Sequence, residues 1–245
     1  MKAVNKGGFT IIESMLFLAI TGLMVMAILL GSSSSINRQR YRDSVNTLQS
    51  IIQQQYSDVA NVINSRDSLW SCDSSGIVPN VTGEPRGQSD CVLLGKLVRT
   101  EDGVNLTVND VNGFINRSLL ISIDDVSVFG PSGYNIKTSS SNSQSYRVDW
   151  GASISSVDDE DIDGEFSLLV LRSPASGNIK TFFNEVFIAD DGITNLVDTD
   201  NIKDGVLCVN SKGLFGGKKS AIRINANTFN ASGVEVVAGD EVGCN

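Results

Sequence analysis

The chain has 245 residues and a mass of 26.2 kDa, enough for one large or two small globular domains. Hydrophobic residues make up 41% of it, with 23 Gly and only 4 Pro, which excludes a collagen-like chain and argues against general disorder. The formal net charge of −9 gives no support for a nucleic-acid partner. Because the chain has no His, Ser-His-Asp and Cys-His catalysis are excluded, and we expect no enzyme.

The first informative segment is a long uncharged run near the N-terminus. Residues 14–37 carry no charge, and between positions 15 and 30 only Thr21 and Gly22 are not apolar. Such a run either spans a bilayer or forms the apolar part of a signal peptide. Glu13 directly precedes it, and an unpaired carboxylate at membrane depth costs about 3 kcal/mol. The sequence therefore predicts a positively charged partner for Glu13.

The residues around this acid form a recognisable motif. Two lysines, Lys2 and Lys6, precede the sequence Gly8-Phe9-Thr10-Ile11-Ile12-Glu13, and the apolar run follows. This arrangement resembles the processing site of type IV prepilins and pseudopilins. The resemblance implies that a prepilin peptidase cuts between Gly8 and Phe9, and that the new N-terminal Phe9 is N-methylated. It also implies that Glu13, as the fifth mature residue, recruits the next subunit by facing its N-terminal amine.

The resemblance also implies partners and a location. The partners are the prepilin peptidase, other copies of this chain in a filament, and the assembly machinery in the membrane. The precursor is then a single-pass membrane protein with its head outside the cytoplasm, and the assembled protein is part of an extracellular pilus. The count of positive residues does not establish this orientation, because Arg38, Arg40 and Arg42 beyond the run rival the two lysines before it.

An ordinary secretory signal peptide is the alternative interpretation of the same segment. Basic residues, an apolar stretch and the small residues 31–35 fit one, with cleavage near Ser33. Two features count against it. An acid at position 13 gives a secretory signal no advantage, and the helical pattern continues well past Ser33.

The apolar run continues into an amphipathic helix. Apolar residues recur at steps of three and four, and only Gln55 occupies an expected apolar position without being apolar. The apolar positions are Tyr41, Val45, Leu48, Ile52, Val59 and Val62. We predict one helix over residues 9–66, about 87 Å long, with Gly31 and the serines after it as a soft point. The predicted organisation is a leader at 1–8, a membrane or filament-core helix at 9–31, an amphipathic helix half at 32–66 and a head at 67–245.

The head is predicted to be rich in β-strands. Short apolar runs alternate with Gly, Asn, Asp and Ser clusters, and they mark candidate strands at 92–98, 104–108, 119–123, 146–150, 166–171, 181–188, 206–209, 221–225 and 234–237. Residues 137–145, rich in Ser and Asn, are predicted to be an exposed loop. The fold class is α+β, with a long helix packed on an antiparallel sheet.

The four cysteines favour disulfides. Cys72, Cys91, Cys208 and Cys244 lack the close spacing of zinc or redox sites, and their even number fits two bridges. Three connectivities are open. The sequential one, Cys72–Cys91 and Cys208–Cys244, is favoured because each pair lies in its own turn-rich stretch.

One acidic cluster has part of a calcium-loop pattern. Asp159, Asp161, Asp163 and Gly164 match its first half, but Val170 stands where the bidentate Glu belongs. A calcium site completed by another residue, such as Glu165, is one interpretation. A solvated acidic turn is the other and is favoured, so no cofactor is expected.

These observations predict a structural protein, a subunit of a type IV pilus. A pseudopilin of a secretion system and a minor tip pilin acting as an adhesin share the N-terminal pattern and remain alternatives. A secreted β-rich binding protein behind a conventional signal peptide is the alternative from another class.

Overall fold

The computed structural model describes residues 10–62, 70–73, 76–79, 91–115, 126–129, 133–155, 157, 164–174, 176–213 and 219–244. Two α-helices lie within these residues, α1 (Ile11–Ala60) and α2 (Ile193–Leu196). The same residues contain eleven strands: β1 (Trp70–Asp73), β2 (Gly76–Pro79), β3 (Cys91–Thr100), β4 (Asn105–Ile115), β5 (Tyr134–Arg147), β6 (Ser153–Ser155), β7 (Phe166–Arg172), β8 (Ile179–Asn184), β9 (Gly205–Asn210), β10 (Ser220–Ile224) and β11 (Val234–Ala238).

Helix α1 is one unbroken helix of 50 residues. It passes through Gly31 and the four serines after it without losing helical structure, so the predicted soft point is not seen as a break. The helix ends at Ala60, and Val62 beyond it has a left-handed φ of 51°, which a β-branched residue rarely adopts. The predicted helix is therefore confirmed for most of its length, while residues 9 and 63–66 lie outside the described residues.

The strands form three antiparallel sheets. The largest has the order β5-β4-β3-β7-β8, a second has the order β11-β10-β9-β6, and β1 pairs with β2. Helix α1 contacts β3 and β7 of the first sheet and β10 and β11 of the second. A long N-terminal helix packed on antiparallel sheets is an α+β fold, which confirms the predicted class.

The main core lies between the second half of α1 and the two larger sheets. Alternate residues of β7 point toward the helix, including Phe166 and Leu168, because successive side chains of a strand lie on opposite faces. Leu207 and Ile222 bring the second sheet into the same core. On the other face of the first sheet, residues such as Leu169 pack in a second core that α2 helps to cover.

The buried stripe of α1 agrees with the predicted one except at its end. Tyr41, Val45, Leu48, Ile52 and Val59 are buried, but Val62 is exposed because it follows the end of the helix. Gln55, the interruption in the pattern, is fully buried and donates from Nε2 to the Ile51 carbonyl at 3.0 Å. A backbone carbonyl of the same helix therefore accepts one hydrogen bond from this buried side-chain amide.

Two of the predicted elements in the head are wrong. Residues 137–145 belong to the edge strand β5, not to a loop, and Ser139 pairs with Asp110 of β4. An edge strand needs only one row of hydrogen bonds and tolerates polar side chains, so its composition resembles that of a loop. The candidate strand at 146–150 contains only the last two residues of β5, and a 3-10 turn, Asp149–Gly151, follows.

The remaining strand predictions mostly hold. The candidates at 92–98, 104–108, 166–171, 206–209, 221–225 and 234–237 correspond to β3, β4, β7, β9, β10 and β11. The candidate at 181–188 runs too far, because β8 ends at Asn184. The candidate at 119–123 lies outside the described residues.

We expect Ile52→Ala to lower the free energy of unfolding by about 3 kcal/mol, because Ile52 is fully buried between α1 and the sheets. The measurement is chemical denaturation of the full chain in detergent micelles. Ser50→Ala is the matched control, because Ser50 is exposed on the same helix and its replacement should change stability by less than about 0.5 kcal/mol. Equal effects of the two variants would show that this helix half is not packed on the head.

Candidate functional site

The start of α1 is closed by a reciprocal pair of hydrogen bonds. Thr10 is the N-cap residue, and its Oγ1 accepts from the Glu13 backbone N–H at 3.3 Å. The Thr10 backbone N–H donates to Glu13 Oε2 at 3.2 Å, and the Thr10 hydroxyl lies 3.1 Å from the same oxygen. This capping box holds the Glu13 carboxylate at the first turn of the helix. Gly8 and Phe9, the predicted processing residues, lie outside the described residues.

The electrostatics of this position favour an anion. The unpaired backbone N–H groups of a helix start carry partial positive charge, which stabilises a carboxylate by up to about 1 kcal/mol at an exposed site. No lysine or arginine lies between Thr10 and Asn37. Within the described part of the chain, the capping box is therefore the stabilising partner that the structure gives Glu13.

The first part of α1, Ile11–Leu30, has a largely apolar surface that no described residue of the head covers. Ile11–Leu30 would span about 30 Å, the thickness of a bilayer's hydrocarbon core. Its large apolar side chains are 46–78% exposed, and no residue of its most apolar 18-residue stretch is buried. The polar Thr21 hydroxyl donates to the Phe17 carbonyl at 2.9 Å, so the helix satisfies it internally. The helix is long and apolar enough to cross a membrane.

Small residues interrupt this apolar surface at two places. A Cβ added at Gly22 or Gly31 would meet nothing within 4 Å, so both positions are open. Glycines on an apolar helix allow another helix to approach its backbone closely. The surface therefore suits either lipid or a neighbouring apolar helix.

The contact between α1 and the head begins at Tyr41, the first buried apolar residue of the helix. Its hydroxyl donates to the Val209 carbonyl at 2.8 Å and accepts from the Ser220 N–H at 2.7 Å, so it joins the ends of β9 and β10. Burial raises the pKa of Tyr41, and the hydrogen bonds from Ser220 partly oppose that shift. This tyrosine fixes the end of the second sheet to the helix at the point where the exposed half ends.

The C-terminus is fastened to the second sheet by the predicted bridge Cys208–Cys244, which is confirmed. The two Cα atoms lie 5.6 Å apart, and the bridge joins cysteines that are 36 residues apart in the sequence. Cys91 is also disulfide-bonded. Its predicted partner, Cys72, has a side chain outside the described residues.

The acidic residues Asp159, Asp161 and Asp163 lie outside the described residues. Among the described residues, no group of three or more Asp, Glu, Cys or His side chains lies close enough together to hold a metal ion. Glu165, considered as a further calcium ligand, accepts a hydrogen bond from the Phe187 N–H at 3.2 Å. Its carboxylate therefore helps to fix the loop after β8.

Two structural features were not predicted from the sequence. The capping box was missed, although Thr10 three residues before Glu13 is the usual sequence signal for one. The second feature is two buried cations on β3, each paired with a carboxylate. Lys96 lies 2.5 Å from Asp110, and Arg99 lies 2.7 Å from Asp190, where Thr138 also donates to the carboxylate at 2.8 Å. Asp190 is 91 residues away from Arg99 along the chain, so sequence spacing gave no signal for this second ion pair.

Comparison with known proteins gives no relative. No family model matches the chain, and no curated protein and no solved structure matches it significantly.

We expect the double variant Cys208→Ala/Cys244→Ala to lose about 3–4 kcal/mol of stability, because a closed loop of 36 residues restricts the unfolded chain by about that amount. Chemical denaturation without reductant measures the loss. The single variant Asn227→Ala, at an exposed position in the same region, is the control. An unchanged midpoint in the double variant would show that packing alone holds the C-terminus.

Proposed function

We propose that this chain is a structural subunit of a type IV pilus. It is made as a membrane-anchored precursor, cut between Gly8 and Phe9 by prepilin peptidase, and N-methylated at Phe9. It then polymerises through its N-terminal helix. The observation that carries the proposal is the division of α1 into an exposed apolar half headed by Glu13 and a half buried in the head.

The exposed half supplies a physical reason for assembly. Residues 11–30 have no cover from the described part of the head, so in water they would expose a continuous apolar surface. In the membrane, lipid covers this surface, and in a filament the helices of other subunits cover it. Moving from one apolar surrounding to the other exposes no new apolar area to water. Close packing at the open Gly22 and Gly31 positions favours the helix bundle.

Glu13 supplies the pairing step. Removal of the leader creates a positively charged amine at Phe9, and an incoming subunit brings this amine to the Glu13 carboxylate of a neighbour. Within the chain, the carboxylate is already held near the helix start by Thr10. A preorganised carboxylate loses less side-chain freedom when it pairs. Because a buried charge is tolerated when paired, the ion pair selects the subunit register that brings amine and carboxylate together.

The remaining features fit a head outside the cytoplasm. Disulfides persist in oxidising compartments, and Cys208–Cys244 and the bridge at Cys91 are both formed. Removal of Lys2 and Lys6 with the leader makes the already negative chain more acidic by two charges. Among the described residues, α1 is the one helix long and apolar enough to anchor the precursor in the membrane before assembly.

A minor subunit at the filament tip is the second candidate. The described residues of the head contain eleven strands in three sheets, and α1 packs mainly on four of them, β3, β7, β10 and β11. An enlarged head is suited to contacting a surface or ligand. The number of copies per filament, measured in purified filaments, separates a tip subunit from a main one. Filaments visible at native expression separate both from a pseudopilin.

We expect Glu13→Ala to leave leader cleavage largely intact and to abolish incorporation into filaments, because the neighbour's amine would lose its partner inside the apolar bundle. The measurement is the amount of the subunit in sheared surface filaments relative to membranes. Glu101→Ala is the matched control, because it removes the same charge from an exposed position in the head and should assemble normally. Normal filaments from Glu13→Ala would contradict the pairing step.

A further inference from the structure

The turn between β5 and β6 holds an exposed tryptophan in an unusual backbone conformation. Trp150 has φ 58° and ψ 21°, the left-handed region, and its side chain is 52% exposed. A bulky residue in this region costs about 1–2 kcal/mol, and such outliers cluster at functional positions. The turn is held in place because the Val148 N–H donates to the Val104 carbonyl at 2.9 Å and the Ala152 N–H to Asp149 at 3.2 Å. An energetically unfavourable backbone conformation is therefore kept at a position whose aromatic ring is exposed to solvent.

The ring lies against a cation of the helix. The guanidinium carbon of Arg40 is 5.1 Å from the centre of the Trp150 ring, a cation–π contact. Exposed charges within three residues of the pair in sequence are Arg38, Arg42, Asp43, Arg147 and Asp149. With Arg40 they make four cations and two anions, although the whole chain is strongly negative. The sequence around the pair is thus richer in cations than in anions.

The pair also lies close to the level where a membrane surface would be. Arg40 follows Leu30, the last residue of the apolar run, by ten residues, about 15 Å of helix. Helical side chains lean toward the N-terminus, so the Arg40 side chain extends back toward the run. Headgroups extend about 5–8 Å beyond the hydrocarbon core. Serines 32–35 extend through this layer, and the Arg40 backbone lies about 7–10 Å beyond it. An Arg40 side chain extended toward the run would bring its guanidinium close to the outer margin of the layer.

We propose that Arg40 and Trp150 form a lipid-contact site that seats the head on the bilayer before assembly. The guanidinium binds the phosphate of a phospholipid headgroup, and the amphipathic indole enters the interface that tryptophan favours. The left-handed turn fixes the ring beside the helix, so the head has a defined orientation above the membrane. The inference rests on the proposed membrane anchoring by α1.

The test uses the full chain reconstituted in liposomes of phosphatidylcholine and phosphatidylglycerol that carry a nitroxide on the lipid headgroup. Trp70→Phe leaves Trp150 as the single tryptophan, since the chain has two. We expect the headgroup label to reduce its fluorescence about twofold, because the proposed contact brings the ring to the outer margin of the headgroup layer. Arg40→Gln in the same background should weaken this quenching, and Arg40→Lys should largely keep it.

The matched control places the single tryptophan elsewhere on the head. Phe229 is 66% exposed, and the neighbouring Val234 carbonyl accepts from Gln49 and Gln53, at least nine residues farther along α1 than Arg40. This is about 14 Å farther from the membrane. The triple variant Trp70→Phe/Trp150→Asn/Phe229→Trp should therefore show little headgroup quenching. Asn is used at position 150 because it tolerates the left-handed conformation.

Two outcomes would overturn the inference. If the chain resists extraction by alkaline carbonate but Trp150 is quenched no more than the tryptophan at position 229, the lipid-contact site is wrong and the anchoring stands. If carbonate releases the chain from the liposomes, both the contact site and the membrane anchoring are wrong.

Discussion

The structure depends on the double role of one helix, which must be covered by different surroundings along its length. From Ile11 to Leu30 its large side chains are exposed and apolar, and from Tyr41 to Val59 one face is buried in the head. Hydrophobic burial favours covering the first half as strongly as the second. The second half finds its cover within the chain. The first half finds none among the described residues, and lipid or another apolar helix would cover it.

The head is organised around the buried half of this helix. Both large sheets pack on it, and Tyr41 and the pair Gln49 and Gln53 donate hydrogen bonds to the second sheet, to Val209 and Val234. The bridge Cys208–Cys244 then fastens the C-terminus to the same sheet. These connections hold the buried half of α1, from Tyr41 to Val59, and the head together as one folded unit.

The helix and most strands were predictable because their hydrophobic periodicity is strong. The six-step apolar pattern from Tyr41 gave the buried face of α1, and dense apolar runs gave β3 and β7. Strand β5 was missed because an edge strand with Ser and Asn residues has no such pattern. The Arg99–Asp190 pair was also missed, since it joins positions that only the folded sheet brings together. At the candidate site, the prediction for Glu13 came from a charge beside an apolar run, whereas the capping box was missed although Thr10 and Glu13 have the spacing of one.

The central claim is that leader removal converts a membrane protein into an assembly subunit. The most direct test is the mass of the mature N-terminal peptide, purified from the native membrane and from the sheared surface fraction. The account predicts a chain that starts at Phe9 with one methyl group on its amine. A chain that starts near Ser33 would contradict it, because the apolar half of α1 would then be a discarded signal peptide.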